Sequence, residues 1–87
     1  MKPKDDVILA YLARIYPSAE PPKVIHWNLE KTGEADWVQM TTQRRLKKME
    51  GHSPPLVEIV NEKGGYRRIT DAGIAKLREL ETTEEEY

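Results

Sequence analysis

Residues 56–70 read LVEIVNEKGGYRRIT, two short runs rich in β-branched and aromatic side chains on either side of five turn-forming residues, two of them adjacent glycines. This pattern predicts a β-hairpin with strands over 56–60 and 66–70. It narrows the fold sharply, because a lone two-stranded hairpin is marginal in water and has to bury a face against other elements. Apolar residues outside it recur at helical spacing, so those elements are helices.

Asp5 is placed to cap a first helix whose stripe is Ile8, Leu12 and Ile15, widened by Val7 and Tyr11, and which ends near Tyr16, before Pro17. Pro21 and Pro22 open a second helix, since proline at the first helical position forfeits an amide that had no partner there. Val24, Ile25, Trp27 and Leu29 supply its apolar contacts and Gly33 closes it. Asp36, followed three residues later by Gln39, resembles a capping box, worth roughly 1 kcal/mol, for a third helix that runs to about Glu50. The core face of that helix is Val38, Thr42, Leu46 and Met49; Gly51 supplies a left-handed C-cap and Pro54 and Pro55 forbid continuation. Thr70 caps a last helix with Asp71 in its first turn and Ile74, Leu77 and Leu80 as its buried stripe. The order is helix, helix, helix, hairpin, helix: an α+β chain, mainly α, in the order of a winged helix-turn-helix, with three helices, a β-hairpin wing and a C-terminal helix over residues 5–80. The acidic stretch 81–87, ETTEEEY, is expected to be a disordered tail.

At 87 residues the chain makes one small domain with a single core, too short for a substrate cleft between domains. The absence of cysteine removes disulfides, thiol catalysis and cysteine-ligated zinc together. No apolar run is long enough for a signal peptide or a membrane span, so a soluble cytoplasmic protein with no membrane partner is expected.

Charge is distributed unevenly. The formal net charge is -1, yet residues 39–49, QMTTQRRLKKM, hold Arg44, Arg45, Lys47 and Lys48 and no acid, while residues 71–87 carry six acids against Lys76 and Arg78. Such separation offers phosphate a positive face without making the whole chain basic. Opposite Leu46 and Met49 the third helix presents Met40, Gln43, Arg44 and Lys47, with Thr41 and Lys48 at the margin; Arg45 lies nearer the core flank. A purely solvated face would mix Glu with Lys at i, i+4 and gain roughly 0.2–0.5 kcal/mol per pair; this helix has no acid before Glu50. In a winged helix-turn-helix the third helix enters the major groove, where Gln suits adenine and Arg suits guanine while Lys more often meets phosphate. Lys63 at the hairpin tip and Arg67 on the return strand are the candidate wing contacts; Gly64 and Gly65 are explained by turn geometry.

Other chemistry is sparse. His26 with Glu30 at i+4 lacks a third ligand and is read as a surface or boundary residue, and His52 just past the third helix suits the negative end of its dipole. Trp27 and Trp37 are read as core anchors of the turn between the second and third helices. No carboxylate pairs with a nucleophile or glycine-rich motif, so neither an enzyme nor a metal or cofactor site is expected.

The segments DDVILAYL, TQRRLKKMEGH, LVEIV before a glycine turn, and YRRITDAGIAKL resemble the small winged-helix repressors of archaea, in particular those similar to the haloarchaeal phage phiH repressor. The similarity covers about residues 5–80. It implies sequence-specific binding of double-stranded DNA and transcriptional repression by a homodimer, with readout on residues 39–48 (Gln39, Met40, Thr41, Gln43, Arg44, Lys47, Lys48) and a wing contact near Lys63 and Arg67. The dimer surface is expected on the first helix, with Tyr11 and Tyr16, or on the last. Two segments depart from the family pattern: EKTGEADW is longer than its usual turn, and SPPL replaces a short Gly-Leu step. The alternative is a winged-helix protein-protein interaction module of a larger complex, its basic helix docked on an acidic partner. A small-molecule effector leaves no motif.

Overall fold

The computed structural model describes residues 3–85. It is a mainly helical α+β fold: α1 (Lys4–Ile15), α2 (Pro22–Lys31), α3 (Gln39–Glu50), a hairpin of β1 (Val57–Asn61) and β2 (Tyr66–Ile69), and α4 (Asp71–Glu85). Among the described residues no helix is long and apolar enough to cross a membrane.

α1 is the helix the others are built around, since it touches α2, α3, α4 and β2. Ile8, Leu9 and Leu12 are fully buried, so the apolar stripe is wider than the i, i+4 residues alone suggest. Its N-cap is Pro3, not Asp5; Asp5 sits in the first turn beside Asp6, where carboxylates favour the helix dipole. Tyr11 is buried and its hydroxyl donates to Glu20, while the Asn28 amide donates to it at 2.7 Å. That burial removes Tyr11 from any dimer surface and leaves Tyr16, 49% exposed.

α2 begins at Pro22 as the double proline requires. Gly33 ends it with φ 77°, and the amides of Glu34 and Ala35 return to the Leu29 carbonyl. Ile25 and Leu29 face the core, but Val24 and Trp27 do not: Trp27 is 56% exposed, a correction to its expected core role. Trp37 is half-buried and packs against the core.

α3 starts at Gln39 with Val38 as its N-cap and no side-chain cap, so the capping box at Asp36 does not form. Thr42, Leu46 and Met49 are buried as expected, whereas Val38, preceding the first helical residue, is 70% exposed. Gly51 is the C-cap, but with φ -85° it lies outside the left-handed region expected of it; its amide still reaches the Lys47 carbonyl.

The strands pair antiparallel, Val57 with Ile69, Glu58 with Arg68 and Ile59 with Arg67, and a bulge between Ile59 and Asn61 brings Asn61 opposite Tyr66. Gly64 and Gly65 take φ 93° and 64° at the tip, a conformation that disfavours a side chain. A third piece of backbone joins the hairpin. Glu20, in the α1–α2 loop, exchanges two hydrogen bonds with Arg67, its amide to the Arg67 carbonyl at 3.1 Å and its carbonyl from the Arg67 amide at 2.8 Å. These bonds tie the hairpin to the helices at its return strand.

Thr70 caps α4 as expected, its Oγ1 accepting from the Gly73 amide at 3.1 Å. Ile74 and Leu77 pack on the core; the side chain of Leu80 lies outside the described residues. α4 continues to Glu85, five residues into the stretch expected to be disordered; the expectation for 86–87 lies outside the described residues.

Candidate nucleic-acid interface

Burial of Thr42, Leu46 and Met49 sets the orientation of α3. Residues at i, i+4 and i+7 share a helix side, and Met40, Arg44 and Lys47 fall on the side away from the core, all exposed, with Gln43 and Lys48 exposed on either flank. Gln39 is exposed at the first turn and Thr41 is half-buried.

This face rests on a buried polar knot. The Trp37 indole Nε1–H donates to Thr42 Oγ1 at 2.8 Å, and His26 Nδ1 lies 2.7 Å from the same oxygen. One hydroxyl can satisfy both by accepting from Trp37 and donating to His26, which leaves the His26 Nε2–H toward Glu30 Oε2, 3.4 Å away. His26 is only 5% exposed, so it is a core residue linking α2 to α3 and not a surface or boundary histidine. His52 is exposed beyond the end of α3.

The cations divide into two groups. Arg14 pairs with Glu34 at 3.0 Å, Arg45 with Asp5 at 3.8 Å, Arg67 with Glu50 at 3.0 Å and Arg68 with Glu58 at 3.2 Å, while Lys4 and Lys31 lie over the rings of Trp37 and Trp27 at 5.6 and 5.2 Å. Arg44, Lys47, Lys48 and Lys63 make no ion pair among the described residues, and neither do Lys23 on α2 and Lys76 and Arg78 on α4. Three of these seven sit together on α3, so that segment's positive charge is unneutralised where it faces outward and neutralised where Arg45 meets α1.

Arg67 does not face outward. Strand alternation puts it on the same side as fully buried Ile69, and its side chain, 14% exposed, donates to Glu50 Oε2 and to the Gly65 carbonyl. It braces the hairpin against the last turn of α3, which corrects its expected role as a wing contact. Lys63 remains exposed at the tip, where its amide is held by Asn61 Oδ1 at 3.0 Å.

Away from this face, burial first, then the hydrogen bond to Glu20 and the charge of Glu20, push the Tyr11 phenol from 10.0 up to about 12. Among the described residues no group of three or more His, Cys, Asp or Glu could hold a metal ion. The Thr42 knot and the Arg67–Glu50 brace were not expected from the sequence. A threonine on the core face of a helix and an arginine beside a glycine turn were visible signals, and Trp37 is only five residues from Thr42, but His26 lies 16 residues from Thr42 and Glu50 lies 17 from Arg67.

Compared with protein-family models, with curated proteins and with solved structures, the chain matches none.

Proposed function

We propose that the chain is a winged helix-turn-helix that binds double-stranded DNA sequence-specifically, with α3 in the major groove and the hairpin as the wing, and that it represses transcription in the cytoplasm by occupying its site. The observation that carries this reading is the row of unpaired cations, Arg44, Lys47 and Lys48, on one face of α3; Arg14, Arg45, Arg67 and Arg68 have carboxylate partners, and Lys23, Lys76 and Arg78, also without an ion pair among the described residues, are divided between α2 and α4. Leaving three cations unpaired together forgoes local pairing energy and creates a surface that releases counterions on meeting phosphate. Lys63 adds a phosphate contact from the wing. So few cations give one subunit weak affinity at cellular salt, and a homodimer on a palindromic site raises it.

Exposed Trp27 and Val24 beside α3 favour a second reading, a protein-interaction module in a larger complex. Selection from a random duplex pool separates the two. Enrichment of a common sequence, bound with an affinity that falls as salt rises, supports the first reading; recovery of no sequence above background overturns it.

A further inference from the structure

The outward side of α3 contains one group that phosphate binding leaves unexplained. Met40 is 58% exposed and lies in line with Arg44 and Lys47, and Val38, just before the helix, is 70% exposed. Both sit at the N-terminal end of α3. In helix-turn-helix docking, the N-terminal residues of the reading helix are the ones that reach base edges. The major-groove edges of the four base pairs offer hydrogen-bond donors and acceptors and a single apolar group, the C5-methyl of thymine.

On the basis of the DNA-binding reading above, we propose that Met40 is a specificity-determining residue that reads thymine through its methyl group, so the preferred half-site contains thymine at the position facing the first turn of α3. Val38 borders the same contact. The unbranched thioether suits this use, because it shapes itself to a small apolar target that a rigid side chain would have to meet in one orientation. Gln43, exposed one turn along from Gln39, brings an amide that matches the N6 and N7 edge of adenine, and Arg44 carries the fork that matches guanine. The apolar contact is therefore one part of a mixed readout, with Lys47 and Lys48 left to the backbone.

The test uses the full chain and the duplex enriched from the random pool. Each thymine is replaced in turn by deoxyuridine, which keeps base pairing and removes only the methyl. At one position per half-site the replacement is expected to weaken binding about three- to tenfold, the scale of withdrawing one methyl from an apolar contact. The Met40→Ala protein is expected to bind the thymine and uracil duplexes equally while keeping the salt dependence of the unmodified protein. An enriched site whose thymines can all be replaced without loss, or a Met40→Ala protein that still distinguishes thymine from uracil, overturns this proposal and leaves the DNA-binding reading in place. Failure to enrich any duplex overturns both.

Discussion

The Arg67 guanidinium donates through Nε to the Glu50 carboxylate at 3.0 Å, joining the return strand of the hairpin to the last turn of α3. The side chains are 14% and 32% exposed, so water competes only partly for the pair. Arg67→Ala leaves Glu50 and the Gly65 carbonyl without this donor and is expected to cost about 1–3 kcal/mol, read as a lower urea midpoint. Arg67→Lys keeps the charge but replaces the planar fork that spans the two acceptors with a compact ammonium on a flexible stem, and falls between the two.

Thr42 holds α3 to α2 through a single hydroxyl. Thr42→Val keeps the shape and strands the Trp37 indole N–H and His26 Nδ1, with an expected loss of about 1–3 kcal/mol. Thr42→Ser, which retains the oxygen, is expected to lose less than half as much in the same denaturation experiment.

Gly73 lies where α4 meets the strands. A Cβ there would run into the Leu56 carbonyl oxygen and lie 2.6 Å from Ile69 Cγ1. Gly73→Ala therefore destabilises by about 1–3 kcal/mol through overpacking, even though alanine favours a helix by about 1 kcal/mol. Thermal unfolding checks this; a domain of this size moves by roughly 4–8 °C per kcal/mol.

Tyr11 links stability to pH. Its phenol is pushed up to about 12 in the fold from 10.0, so the folded state favours the protonated form. That contribution is full below pH 10 and is lost as pH rises through about 12. The stability difference between the unmodified protein and Tyr11→Phe, measured by denaturant unfolding across this range, is expected to stay constant below pH 10 and shrink above it.

Much of the architecture was legible because its signals are local. The double proline opening α2, the Thr70 cap and the glycine-bearing hairpin each depend on a few adjacent residues. Local signals also misled: Asp36 and Gln39 have capping-box spacing, but α3 starts at Gln39 itself, which makes Val38 the cap residue. What was not legible depends on register and long-range packing. Alternation sends Arg67 and Arg68 to opposite faces, and only the pairing of Val57 with Ile69 decides that Arg67 turns inward. His26 is buried because α2 lies against α3 at Thr42, and Glu20 pairs with Arg67 because the α1–α2 loop passes the hairpin. At the candidate site, the exposure of Met40, Gln43, Arg44, Lys47 and Lys48 followed from helical spacing, since those residues only had to lie opposite a core stripe.

On the DNA-binding reading, the unpaired cations of α3 meet DNA phosphate and bases. The most direct measurement is a salt titration of duplex binding by the unmodified protein and by a variant with Arg44→Ala and Lys47→Ala. Both positions are exposed and the variant is expected to stay within about 0.5 kcal/mol per site of the original stability. The unmodified protein is expected to bind duplex with an affinity that falls with salt by about 0.9 log units per log unit for each phosphate neutralised, and the variant to have no measurable affinity. Equal binding by the two proteins, or no salt-sensitive binding by either, would overturn the DNA-binding reading.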